Sequence, residues 1–194
     1  FGGWKDGPTF KPTGHFRVQK IKGNWWFIDP MGKLFWSFGC TGIGYQDAEI
    51  ALPEKYHFYQ DLPSYDDPLY GDLYRMNRRK GFEPSDFQGA YTYKAGEYIL
   101  RKKYGKSFRE DFKTWSLRRV KSWGLNTCGA WSKASYNQPS NLRVPYTMEL
   151  WVSGRHLKPV HKLVDPFEDK FSSWVERAVR DKAFAINDPY CICL

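Results

Sequence analysis

Residues Arg118 to Ser132 read R-R-V-K-S-W-G-L-N-T-C-G-A-W-S and constrain the fold more than any other stretch. Before them, from about Lys106, the residues Phe108, Phe112, Trp115, Leu117 and Val120 form the apolar positions of a helix running to Trp123. Gly124 stops that helix, because the left-handed backbone that follows a last turn is most accessible to glycine. Leu125 to Gly129 is short, apolar and bounded by turn formers, the pattern of a buried strand. Trp131 then sets a large ring just past the strand's C-terminal end. Helix, glycine turn, short strand and aromatic loop make one αβ step of a parallel α/β fold. In such folds ligands bind at the carboxyl ends of the strands.

The chain ahead of this stretch opens with an irregular lead-in, residues 1–15, rich in Gly, Pro and Lys. Phe16–Ile21 alternates and Trp25–Ile28 follows Lys22-Gly23-Asn24, which predicts a hairpin on a Gly-Asn turn. Asp29-Pro30-Met31-Gly32 is a second turn. Lys33–Cys40 reads as a third strand, buried on both faces because it is nearly all apolar. Residues 41–96 carry many Gly, Pro and Tyr with little periodicity, so a long loop broken by short helices is expected. Tyr45, Gln46 and Asp47, soon after the third strand, are candidates to face a ligand or else ordinary surface-turn residues. Gly96–Tyr104 is the first helix.

Beyond the central stretch, Val144–Val152 predicts another strand, with Pro145 at its start where a missing N–H is tolerated. Asp165-Pro166-Phe167-Glu168 carries the signature of a helix start, with Asp165 as cap and Glu168 completing a capping box. A catalytic carboxylate pair is the competing reading of the same residues, and capping explains them more simply. That helix is expected to run to about Phe184, with Phe171, Trp174, Val175, Ala178 and Val179 on one face. Tyr190–Leu194 begins a fresh apolar strand.

Composition narrows the function classes. Hydrophobic residues make up 41% of the chain, enough for a packed core. Aromatic residues make up 19%, and such rings either fill cores or present flat faces to sugars and bases. The net charge of +9 is spread in local pairs such as Arg101-Lys102-Lys103 and Arg118-Arg119, which reads as solvated helix faces rather than a nucleic-acid stripe. An acidic polysaccharide would satisfy the same electrostatics. Cys40, Cys128, Cys191 and Cys193 do not form a disulfide framework, and Cys40 and Cys128 are expected to be small core residues. Cys191-Ile192-Cys193 and the pair His156 and His161 lack the further ligands of a metal site, so no metal or cofactor is expected. No run reaches the length of a membrane span and no signal-peptide pattern opens the sequence.

Four strands in succession with an exposed Cys-Ile-Cys-Leu edge suit a sheet that continues. The expected fold is therefore α/β, a (β/α)8 barrel of which residues 16–194 supply roughly the first four strands, preceded by the hairpin. Such barrels take about 250 residues, so the sequence is expected to run on past Leu194.

Four motifs in order carry a resemblance. G-N-W-W-F-I-D-P-M-G-K-L-F-W-S-F-G (Gly23–Gly39), W-G-L-N-T-C-G-A-W-S (Trp123–Ser132), V-P-Y-T (Val144–Thr147) and D-P-F (Asp165–Phe167) resemble the catalytic domain of agarase-like glycoside hydrolases of the family-50 type. The resemblance implies a retaining hydrolase of β-linked galactans such as agarose, secreted or periplasmic, using two glutamates. It places those glutamates after Leu194, because Asp188–Ile192 matches only the approach to the strand that bears the first. Asn126, Trp131 and Tyr45 carry over as substrate-binding positions.

The residues themselves agree with that limit. Retaining hydrolysis needs two carboxyl groups about 5–5.5 Å apart. Among the acids, Glu149 alone stands near a strand end, where alternation points it inward. Trp131 and Trp151 at strand ends are candidates to stack on sugar rings or else to fill the core. The partner expected is a polysaccharide, possibly anionic, rather than a nucleic acid or a membrane. A non-catalytic carbohydrate-binding protein is the alternative, and a basic aromatic nucleic-acid binder a more distant one.

Overall fold

The computed structural model describes residues 1–45, 49–51, 56–64, 66–76, 91–135, 137–152, 159–160 and 163–193. In chain order the described elements begin with β1 (Arg17–Ile21), β2 (Asn24–Ile28), β3 (Leu34–Phe35) and β4 (Gly39–Cys40). Then come β5 (Ile50–Ala51), β6 (Tyr74–Met76), β7 (Tyr91–Tyr93), α1 (Ala95–Tyr104), α2 (Phe108–Ser122) and β8 (Thr127–Cys128). The last are β9 (Tyr146–Thr147), β10 (Pro159–Val160), β11 (Leu163–Val164), α3 (Phe171–Arg180), α4 (Ala183–Ile186) and β12 (Cys191–Cys193). The chain divides into two compact units, Phe1–Gly44 with Lys113–Leu194, and Tyr45–Phe112.

The first unit is built on a parallel sheet whose spatial order, β4-β8-β9-β12, is also its sequence order. One face is covered by helix. Leu117 and Val120 of α2 and Ala185 of α4 pack with Cys128, Val144, Tyr146 and Met148. The hairpin sheet β1-β2-β3 is separate and antiparallel. Its turn centres on Lys22 and Gly23, both left-handed, so the two-residue loop lies one residue ahead of the expected Gly-Asn pair. The lead-in packs near the N-terminal ends of the parallel strands: the Phe1 ring lies 4.4 Å from that of Tyr190, just before β12.

Lys33–Cys40 is not one strand. It pairs with β2 as Leu34–Phe35, then leaves that partner and pairs with β8 as Gly39–Cys40. Across the switch Trp36 and Phe38 are exposed, as is Cys40, so none of the three is the core residue expected. The strand expected over 144–152 is paired as β9 at Tyr146 and Thr147, with Cys128 N–H donating to the Pro145 carbonyl on one side and Met148 N–H to the Cys193 carbonyl on the other. Asp165 does cap backbone, but its Oδ1 accepts the N–H of Phe167 at 2.9 Å and closes a turn. Helix α3 begins later, at Phe171, ends at Arg180 and gives way to the short α4; its apolar face is half-buried. The helix ends read at Tyr104 and near Trp123 are found, and Gly124 has φ +73° as its stop role requires.

The second unit holds the antiparallel sheet β5-β7-β6 and a core of Leu73 and Tyr93 ringed by Tyr70, Tyr74 and Tyr98. Gln46, Asp47, His156 and His161 lie outside the described residues. Among the described residues no helix is long and apolar enough to cross a membrane.

Candidate functional site

The carboxyl ends of the parallel strands lead into Thr41–Gly44, Gly129–Ser135 and Met148–Trp151. The first two of these segments are joined by hydrogen bonds. Gly42 N–H donates to the Ala130 carbonyl at 2.8 Å, Ala134 N–H to the Ile43 carbonyl at 3.1 Å, and Ile43 N–H to Ser132 Oγ at 3.0 Å. Ser132 and Ala134 are buried, so this seam is shielded from water.

Trp131 sits at the crest of the seam. Its backbone is left-handed, with φ +58°, and the residue is 59% exposed. Its N–H donates to Glu149 Oε1, on the segment that follows β9. Strand parity explains the reach of Glu149. Tyr146 and Met148 turn toward the helix-covered core, so Thr147 and Glu149 turn to the other face. Trp151, two residues further, is 62% exposed. Trp131, Glu149 and Trp151 are thus all carried by segments leaving the carboxyl ends of adjacent strands.

The other expected contacts fall elsewhere. Asn126 precedes β8, at the opposite end of the strand from Trp131. Its Oδ1 accepts the Phe38 N–H at 2.8 Å and the Thr127 hydroxyl at 3.0 Å. Its Nδ2 donates to the carbonyls of Trp36 at 2.9 Å and Gly2 at 3.3 Å. The amide is committed to holding the chain where it crosses from the hairpin to the parallel sheet. Tyr45 belongs to the second unit, where its hydroxyl donates to Glu97 at 3.1 Å and its ring lies edge-on to Phe108 at 5.2 Å.

Two ionic clusters lie outside the site residues expected from the sequence. Glu97 is 2% exposed, yet it accepts from Arg101 at 3.0 and 2.7 Å and from Arg109 at 3.0 Å, with Lys94 Nζ at 3.5 Å. Burial pushes its carboxyl up, but hydrogen bonds from Arg101 and Tyr45 and the charge of Arg109 outweigh it and hold the group below its ordinary value. The spacing of Glu97 and Arg101 is the one hint the sequence offers. In the first unit, Asp188 accepts from Arg143 at 2.5 and 2.6 Å, from the Tyr146 hydroxyl at 2.9 Å and from the Tyr190 N–H at 2.9 Å. The Tyr146 hydroxyl is pushed well above its usual range, first by burial and then by Asp188.

An aromatic cleft of about 470 Å³ opens near the N-terminal approach to β4, lined by Asn24, Trp25, Trp26, Trp36 and Ser37 among others. Among the described residues no group of three or more His, Cys, Asp or Glu could hold a metal ion. Exposed indoles such as those of Trp131 and Trp151, on segments that leave adjacent strands, can each bind an apolar, ring-shaped face. Two-carboxylate chemistry needs a second acid, and within Thr41–Gly44, Gly129–Ser135 and Met148–Trp151 the one carboxylate is Glu149.

No family model matches the sequence. β-Agarase B of Vibrio sp. (strain JT0107) is 29% identical, over 98% of this chain and 22% of its own length. β-Agarase A of the same strain is 27% identical, over 84% of this chain and 17% of its own. The solved agarase AgWH50C superposes with a TM-score of 0.73 at 26% identity, covering 98% of this chain and 30% of that one. PfGH50B gives 0.74 at 25% identity with the same coverages. The chain spans about a fifth of the length of the curated relatives it matches.

Proposed function

Because the chain is homologous to β-agarases over nearly its whole length, which is only a fraction of theirs, we propose that it is the sugar-binding portion of a glycoside hydrolase acting on agarose or a related galactan. The observation that carries this is the pair of exposed indoles, Trp131 and Trp151, at the carboxyl ends of parallel strands. Sugar rings present apolar C–H faces that stack on such rings, and this end of a parallel α/β fold is where substrates bind.

The sheet order supports a (β/α)8 barrel. A doubly wound sheet reverses direction at a switch point, whereas β4-β8-β9-β12 proceeds in sequence, as the strands of a barrel do. On this reading the reaction is retaining, and its two carboxylates come from residues outside 1–194. Residues 1–194 alone bind the polymer without cleaving it. The enzyme acts outside the cytoplasm, where its polymeric substrate is found, and the charge of +9 is compatible with an anionic galactan as well as with agarose.

The test is release of reducing ends from agarose by the whole protein that carries this chain, with the anomer of the first product read by NMR. Retained configuration at early times supports the reading. Binding of agarose with no new reducing ends would instead make the protein a non-catalytic carbohydrate binder.

A further inference from the structure

We infer that Glu149 is a positioning residue, a latch that fixes Trp131 in its left-handed conformation and so presents the indole to a sugar; this rests on reading that face as the galactan-binding surface. Three consecutive residues are each tied to a neighbouring segment. The carbonyl of Ala130 and the hydroxyl of Ser132 bond to Gly42 and Ile43, on the β4 side. The N–H of Trp131 between them bonds to Glu149, on the β9 side.

Left-handed backbone is unfavourable for a bulky side chain and persists only where its surroundings enforce it. Here the enforcement is visible. With residues 130 and 132 held on one side, the N–H of residue 131 is turned toward β9, and Glu149 is the acceptor that meets it. The rest of the seam is backbone and hydroxyl, so the carboxylate is its charged member, and charge-assisted bonds are the stronger kind. An acid at a strand end invites a catalytic reading. The geometry gives it another occupation, because its Oε1 is engaged by the Trp131 backbone.

The whole protein tests this with two readouts, one of which needs no sugar. Hydrogen exchange at the Trp131 amide reads the latch directly. Glu149→Ala is expected to speed that exchange about tenfold or more, while Glu149→Gln, which keeps an acceptor oxygen, retains most of the protection. With agarose oligosaccharides as substrate, Glu149→Ala and Trp131→Ala are each expected to raise KM several-fold with kcat little changed. The double variant should be no worse than either alone, since both remove the same presented ring. Equal protection in wild type and Glu149→Ala would overturn the latch, whatever the protein binds. A loss of kcat of a hundredfold or more in Glu149→Gln would overturn it too, by making Glu149 a catalytic acid. If no galactan is bound while the exchange result holds, the latch stands and the proposed substrate fails.

Discussion

Replacing Glu97 with alanine removes the anion of a buried cluster and leaves its cations behind. Lys94 and Arg101 have side chains 6% and 17% exposed, so neither regains full hydration where it sits. Arg101 keeps its paired bonds to Asp72, at 2.9 Å each, and Arg109 is exposed enough to turn to water. The penalty is therefore shared by Lys94, Arg101 and the Tyr45 hydroxyl, each of which loses its contact with the carboxylate. Breaking a buried pair by deleting one partner costs about 3–5 kcal/mol, and the packing of this site puts Glu97→Ala in that range. Urea titration of wild type and variant at pH 7 measures the loss. Hydrogen exchange over Tyr91–Phe112 shows whether it opens that unit first. The sign of the pH dependence follows from the lowered carboxyl. A group held below its ordinary 4.5 stabilises the fold fully above that value and loses its contribution as pH falls through the lower folded value. The gap between wild type and Glu97→Gln should thus be constant near neutrality and close on acidification below about pH 4.5. A loss under about 1 kcal/mol for Glu97→Ala would refute the reasoning, since that is the size of a solvent-screened pair.

Other sites give sharp expectations. Gly39→Ala would set a Cβ 1.8 Å from the Thr127 carbonyl oxygen, so β4 must part from β8; a loss of about 3 kcal/mol by urea titration is expected. Trp131→Gly should be more stable than Trp131→Ala by about 1 kcal/mol in the same assay, because alanine retains the left-handed penalty that glycine escapes. Asp188→Asn, which removes the charge facing Arg143, should cost about 2–3 kcal/mol, and equal stability would mean that the cluster is hydrated. Burial, and then Cys40 beside it, push the Cys128 thiol up to about 12. At pH 8 about one molecule in ten thousand then carries the thiolate, so mass spectrometry should find Cys128 alkylated only after unfolding.

What the sequence determined by itself is what near neighbours decide. Helices α1 and α2, the stop at Gly124, the first hairpin and the turn at Asp29–Gly32 follow from spacing, positive-φ residues and capping atoms within a few positions. The short strand before Trp131 was legible for the same reason, a glycine turn and an apolar run fixing where it leaves the core, whereas the sequence left open whether that ring is exposed or fills the core. Tertiary structure decided whatever depends on a distant partner. Lys33–Cys40 is apolar throughout, yet it divides into two strands because β2 claims one end and β8, some ninety residues on, claims the other. Gly39 is required by a carbonyl of Thr127, which no local pattern contains. Asn126 looked like a ligand contact in its motif, but the backbone of Gly2, Trp36 and Phe38 takes up its amide. Glu97 reads as an ordinary helix-surface acid until Tyr45, Arg101 and Arg109 close around it. A polar atom's role is set by the group that faces it. Periodicity says which face a residue occupies, and only the folded chain says what stands opposite.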